Sequence, residues 1–312
     1  MVGFGPPFFL ESMQTKAFLR LIRLPNVFTA ACNSLAGALA AGVGFDRWPA
    51  LIMLALSSMC IYAAGILWND LFDLEEDRRE RPSRPLPSGQ VSVRLAWLVS
   101  TLLAVVGAIL AALVSPKVGL LGLSLLAVVF SYDRWTKRNA IGPWNMGLCR
   151  GLNLAMGLIM KPLAIWGVLA VLGYTIYISG VTYISRQETK TGETKGLQKG
   201  FVLLISGMAM VVASILLHSN RTIYGFEIQN DVPLLGGLLI LMVLMKRLTQ
   251  VWKTAFADPR PETIQNVVKT GIINLPLFDF SIVMAAAGPL AAIPIAILFL
   301  LARLTARKLY TT

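Results

Sequence analysis

The sequence predicts an all-α fold, a polytopic membrane protein whose residues 1–312 form one bundle of about nine transmembrane helices. Three observations carry that reading. Of the 312 residues, 56% are hydrophobic and 14% charged, with mean hydropathy +0.68, whereas roughly a quarter of a soluble domain is charged. Apolar runs recur at 25–44, 49–69, 93–114, 118–133, 142–160, 163–184, 200–217, 232–246 and 278–301, and crossing the hydrocarbon core takes about 20 apolar residues. Loops 69–94, 134–139, 185–200 and 246–270 hold 17 of the 28 lysines and arginines, while the alternate loops near 45, 117, 161 and 221 hold one each. Basic residues stay on the cytoplasmic side, so the richer loops are expected there, in a cell (inner) membrane.

Taken in order, residues 1–24 form an interfacial amphipathic segment, with Lys16, Arg20 and Arg23 at helical spacing over Ser12–Leu24. Met1–Leu10 lacks a basic start and a small-residue cleavage pattern, so no cleaved signal peptide is expected. Pro25 opens the first span. Polar loops at 69–94 and 185–200 follow the second and sixth spans and divide the chain into comparable halves, a hint of internal duplication. The fourth and eighth spans are short. Between Asp258 and Glu262, proline at a helix start and an acid in the first turn predict a short helix from Pro261, lying along the surface. Pro289 and Pro294 predict a kink inside the last span. An odd number of spans sends Arg303, Arg307 and Lys308 to the outer side, against the positive-inside rule. Either the tail snorkels back along the last helix or the count is off by one.

The net charge of +12 belongs to short loops beside apolar spans. Membrane topology and anionic lipid account for it, and nucleic acid is not an expected partner. Cys32, Cys60 and Cys149 all fall inside predicted spans, without paired or metal-site spacing, and read as small core residues.

The second span ends in a dense polar run, Trp68 to Gly89. If its helix continues, Asn69, Asp73 and Asp77 recur at i, i+4 and i+8 and stack along one face, a ladder of hard oxygen ligands about 12 Å long. Such oxygens suit Mg2+, which takes one or two protein carboxylates and completes its shell with water and substrate phosphate. Arg78, Arg79, Arg81, Arg84 and Arg94 follow, and arginine grips phosphate oxygens through two hydrogen bonds. By spacing, a metal–diphosphate site and a merely solvated loop past a transmembrane helix stand level.

The series Asn69-Asp70, Asp73, Asp77, then Arg81-Pro82-Ser83-Arg84-Pro85-Leu86-Pro87-Ser88-Gly89, resembles the first signature of the UbiA superfamily of intramembrane prenyltransferases. The resemblance is nearly complete over this motif; elsewhere it rests on hydropathy and looser similarity. It implies Mg2+ on an isoprenyl diphosphate at Asn69, Asp73 and Asp77, with Arg81, Arg84, Lys137 and Arg186 neutralising the departing diphosphate and the 81–89 loop closing over the head group as a lid.

The superfamily's second acidic motif falls at Tyr183-Ile184-Ser185-Arg186-Gln187-Glu188-Thr189-Lys190-Thr191-Gly192-Glu193. Typical members carry two aspartates one turn apart. With Gly192 as the family's glycine, Glu188 takes one aspartate position and Ile184 the other. Three readings stand: Glu188 holds a second Mg2+; Arg186 and Lys190 replace the ion; or the site is catalytically impaired. The same departure resembles the EboC-like branch of the superfamily.

Ser131-Tyr132 with Lys137 beyond it matches a family segment that approaches the reacting end of the prenyl chain, which assigns Tyr132 and Lys137 to the site. Interfacial anchoring by Tyr132 and Trp135 is the alternative. Arg150 stands in the fifth span, flanked by Asn145 and Asn153. A mid-span arginine costs about 2.5–3.5 kcal/mol, so it is expected either in the substrate cavity or paired with Asp279. His218, the sole histidine, lies by an outer loop, far from the acidic motifs. Met242 and Met245 read as packing.

The resemblance implies Mg-dependent transfer of a prenyl group from an isoprenyl diphosphate to a small aromatic or cyclic acceptor within the membrane. The partners implied are the donor, a hydrophobic acceptor and membrane lipid, with no obligate protein partner. The competing reading is a non-catalytic isoprenoid- or lipid-binding carrier that kept the first motif. A third reading, a CDP-alcohol phosphotransferase, also uses membrane aspartates, but its longer Asp-Gly-x-x-Ala-Arg signature is missing here, which sets it below the other two.

Overall fold

The computed structural model of the protein describes residues 17–188, 194–218 and 228–310. The first 16 residues, and with them the leader expectation and most of the interfacial segment, lie outside the described residues. All regular structure among the described residues is helical: α1 Leu24–Ala40, α2 Trp48–Phe72, α3 Leu74–Glu80, α4 Val93–Val114, α5 Pro116–Ser131, α6 Gly142–Leu158, α7 Ile165–Ser185, α8 Thr194–His218, α9 Ile228–Ala257, α10 Pro261–Ile273, α11 Leu275–Ala287 and α12 Pro289–Tyr310. Among the described residues, eight helical stretches are long and apolar enough to cross a membrane, with α10 and α11 joined as one of 27 residues. Helices α1 and α6, of 17 residues each, stand among them.

Helix α1 is the hub, packed by α2, α6, α11 and α12. Every residue from Thr29 to Ala40 is buried. The sequence permits this because the helix is built from Ala, Gly, Ser, Asn, Cys and Thr, and small side chains let membrane helices approach closely. At the crossing with α6, a Cβ on Gly157 would overlap the Ser34 carbonyl, and one on Gly37 the Leu154 carbonyl. The outer helices carry the large apolar side chains outward: Leu290, Leu120 and Ile165 are 75%, 68% and 68% exposed. Such a belt is stable against lipid, not water. Met242 stands in this belt, while its neighbour Met245 packs inward.

The last span differs from the expectation. Instead of a kink within one helix, the chain reverses at Gly288, where φ is 88°, a conformation open to glycine without strain. The stretch from Pro261, expected on the surface, becomes the descending helix α10–α11, and α12 returns beside α1. The contacts fix the directions. Asn33 Nδ2 donates to Asp279 Oδ1 at 3.1 Å, Cys32 Sγ to the Ile295 carbonyl at 3.8 Å, and Arg20 Nε to the Leu309 carbonyl at 2.9 Å. Helix α12 thus runs antiparallel to α1 and brings Arg303, Arg307 and Lys308 to the end of the bundle that carries the polar motif.

Candidate functional site

Helix α2 ends at Phe72 and α3 begins at Leu74, with Asp73 as the hinge at φ −89°, ψ 2°. The oxygen ladder survives the hinge, because i→i−4 backbone bonds link its rungs. Asp73 N donates to Asn69 O at 3.0 Å, Asp77 N to Asp73 O at 2.8 Å, and Arg81 N to Asp77 O at 2.9 Å. Beyond α3 the 81–92 loop folds back, with Gly89 at φ 76°. Leu86 and Val91 are buried against Leu21, Leu67 and Leu71, so apolar burial holds the loop down over the motif.

Each rung meets a partner from a distant part of the chain. Asn69 Nδ2 donates to Asp133 Oδ1 at 2.8 Å. The Asp73 carboxylate pairs with Lys137 Nζ. Asp77 Oδ2 accepts from Arg84 at 2.5 Å, with Arg81 3.8 Å from its other oxygen. Off the ladder, Asp70 accepts from Arg23 at 3.0 Å and lies 3.7 Å from Arg84. Glu76 pairs with Arg138.

Asp133 and Lys137 reach the ladder because α5 ends in a π-helical turn, Tyr132–Thr136, closed by the i→i−5 bond from Lys137 N to Tyr132 O at 2.9 Å. Single π turns recur at functional sites. At the first rung of the ladder lies a cavity of about 290 Å³ lined by Arg23, Asn69, Tyr132, Asp133, Lys137, Tyr62, Ile66, Val129 and Met146, with Gly65 and Cys149. Its mouth is polar and its walls are apolar, a layout suited to a charged head with a hydrocarbon tail.

Of the second motif, Arg186 and Glu188 are described, whereas Lys190 lies outside the described residues. Arg186 donates to the Asn139 carbonyl at 2.7 Å and to the Lys137 carbonyl. Glu188 accepts from Gln265 Nε2 of α10 at 3.5 Å. Burial pushes the Glu188 carboxyl above its usual range, against the pull of Gln265, Arg81 and Lys269. Arg81, 3.8 Å from Asp77, thus also exerts its charge on Glu188.

Among the described residues, no three His, Cys, Asp or Glu side chains meet as a ready-made metal cage. The donor set nevertheless suits Mg2+, which needs one or two carboxylates and completes its shell from water and phosphate. Asn69, Asp73 and Asp77 are hard oxygen donors, and the cations beside them are those a diphosphate would attract.

The structure gathers Asn69, Asp73, Asp77, Arg81, Arg84, Tyr132 and Lys137, the residues expected from the sequence, at one end of the bundle. Beside them stand Arg23, Asp133 and Gln265, which the sequence did not single out. Arg23 read as an interfacial basic residue, and nothing in the sequence announced its left-handed backbone at φ 50°. Asp133 was legible as an acid next to Tyr132, but the π turn that aims it was not. Arg150 does not pair directly with Asp279. It donates to Thr29 Oγ1 at 2.8 Å and to the Thr29 carbonyl at 3.2 Å, while Asp279 accepts from Asn33 and, at 2.6 Å, from Tyr174. Asn33 joins Asp279 onward to Asn153, which donates to Asn33 Oδ1 at 3.1 Å and accepts from Ser58 at 2.7 Å. His218 stacks edge-on against Trp166, on a helix end remote from the ladder.

Comparison with known proteins agrees with this architecture. The model of the UbiA prenyltransferase family matches residues 30–260. A digeranylgeranylglyceryl phosphate synthase of Sulfurisphaera tokodaii is 27% identical over 256 residues, 75% of this chain and 89% of the relative. Its counterpart in Sulfolobus acidocaldarius is 35% identical over 123 residues, 39% of this chain and 43% of the relative. Among solved structures, one of digeranylgeranylglyceryl phosphate synthase in membranes aligns with 88% of this chain and 99% of its own, at TM-score 0.64 and 22% identity. A UbiA homologue of Archaeoglobus fulgidus bound to GPP and Mg2+ aligns with 86% of this chain and 99% of its own, at TM-score 0.60 and 16% identity. The structural likenesses speak for the fold, and the family match covers most of the bundle together with both polar loops: the chain belongs to the UbiA prenyltransferase family.

Proposed function

We propose that this protein transfers a prenyl group from an isoprenyl diphosphate to a hydrophobic, aromatic or cyclic acceptor within the membrane. One observation carries the reading: the Asn69–Asp73–Asp77 ladder is paired with Lys137, Arg81 and Arg84, and its first rung Asn69 lines, together with Lys137, a largely apolar-walled cavity of about 290 Å³. Asn69, Asp73 and Asp77 would hold magnesium, with Glu188 the remaining described acid of the second motif. Bound there, the ion supplies positive charge to the diphosphate oxygens.

The chain's own residues supply the rest. Lys137, Arg81 and Arg84 take up the negative charge that grows as the donor's carbon–oxygen bond breaks, and fixed charges in a water-poor site are commonly the largest catalytic contribution. Ile66, Val129, Met146 and Tyr62 line the space below and keep water from the allylic cation until the acceptor attacks it and loses a proton. Tyr132, buried at the cavity wall, faces the reacting end. The polar loops are assigned to the cytoplasmic face of a cell membrane, by the distribution of Lys and Arg.

A second acceptor reading has its own support. Relatives carry the name digeranylgeranylglyceryl phosphate synthase, and Arg23 at the cavity wall offers a cation to a phosphorylated glyceryl acceptor. Purified protein given a prenyl diphosphate, Mg2+ and each acceptor class in turn decides between them by mass spectrometry of the products. Donor-dependent prenylation of either class, with diphosphate release, supports transfer. Donor binding without product from either supports a carrier.

A further inference from the structure

We infer that the end of α7 serves this site by position rather than as a ligand: Arg186 fastens the 137–139 turn so that Lys137 stands on Asp73. The inference rests on the prenyl-diphosphate reading of the site and deepens it.

Arg186 follows directly on the last residue of α7, at the point where the family's second motif would supply acid. Its guanidinium is committed to main chain. Nη1 donates to the Asn139 carbonyl at 2.7 Å, and Nη2 donates to the Lys137 carbonyl. These carbonyls sit two residues apart in the turn that joins the π-helical segment to α6. The same turn is drawn from the other side by Lys137 N, which donates to Tyr132 O at 2.9 Å. With its peptide groups gripped on both sides, Lys137 sends Nζ to the Asp73 carboxylate, and the next residue, Arg138, reaches Glu76 on α3.

Two features show that the clamp is built in. Gly142, the first residue of α6, leaves the guanidinium its place, since a Cβ there would overlap Arg186 Nη2 and the Thr136 carbonyl. The geometry also demands arginine. A planar fork presents fixed N–H directions to two fixed carbonyls, whereas lysine offers one compact charge on a flexible stem. Arg186 is accordingly a positioning residue that acts through Lys137, and the diphosphate is met by Lys137 itself.

The test measures binding of geranyl diphosphate with Mg2+, and prenyl turnover, for the full-length protein in detergent or nanodiscs. The variants are Arg186→Ala, Arg186→Lys, Lys137→Ala and the double Arg186→Ala with Lys137→Ala. Arg186→Ala, Arg186→Lys and Lys137→Ala are each expected to weaken probe binding about tenfold, and the double no further than Lys137→Ala, because residues acting through one contact are not additive. Wild-type affinity in Arg186→Lys would overturn the inference, by showing that charge suffices at this position. Losses that multiply in the double variant would overturn it too, by showing that Arg186 meets the diphosphate directly. Should Arg186→Ala fail to fold, Arg186→Lys alone and combined with Lys137→Ala carries the same comparison. A wild-type protein that neither binds nor turns over the probe removes the prenyl-diphosphate reading itself, an outcome distinct from the other two.

Discussion

The amide of Asn69, near the end of α2, donates to the carboxylate of Asp133 at 2.8 Å across 64 residues of chain. This bond ties the first rung of the ladder to the π-helical turn that also carries Lys137. Asn69→Asp, conservative in shape, sets two carboxylates against each other and is expected to lower prenyl transfer more than Asn69→Ala does, by about tenfold or more. Combining Asn69→Asp with Asp133→Asn restores an amide–carboxylate pair and should recover most of the loss. Turnover in isolated membranes at matched expression checks both statements.

Arg23 joins a left-handed backbone, φ 50° and ψ 52°, to an ion pair with Asp70. A non-glycine residue held there costs about 1–3 kcal/mol. Arg23→Gly and Arg23→Ala both remove the pair, but only glycine relieves the backbone. The glycine variant is therefore expected to melt several degrees above the alanine variant in detergent. Equal melting temperatures would show that the left-handed turn carries no strain.

The buried chain Ser58–Asn153–Asn33–Asp279–Tyr174 links α1, α2, α6, α7 and α11. Asn153→Ala leaves the Ala30 carbonyl, Asn33 and Ser58 without their shared partner. Interhelical hydrogen bonds in membranes average about 0.6 kcal/mol each and reach about 1.7. A loss of about 1–2 kcal/mol follows, read as a lower melting temperature with the Km for donor little changed.

Because α12 returns beside α1, the C-terminal basic cluster and the motif loop are expected on one side of the membrane. Single cysteines placed at Ser88 and Lys308, in a background without accessible native cysteine, should react with an impermeant maleimide from the same side. One at Lys161 should react from the other.

Much of this was legible because hydropathy and spacing are local. The i, i+4, i+8 oxygen ladder depends only on 3.6 residues per turn, and it persisted through the hinge at Asp73. What stayed hidden was set by tertiary geometry. The reversal at Gly288 and a kink at Pro289 share one sequence, and the packing of α12 on α1 selects the reversal. The π turn at Tyr132–Thr136 shifts register by one residue without any proline or glycine inside it. Arg186 read as a phosphate ligand because charge is visible in a sequence and its two carbonyl acceptors are not.

The most direct test of the account replaces both central carboxylates. Asp73→Asn with Asp77→Asn keeps shape and removes the negative charge that faces Lys137, Arg81 and Arg84. With expression and melting temperature maintained, radiolabelled prenyl transfer in membranes is expected to fall by at least about a hundredfold, equivalent to about 2.7 kcal/mol of lost transition-state stabilisation. Transfer at the wild-type rate in that double variant would contradict the assignment of the ladder as the diphosphate centre.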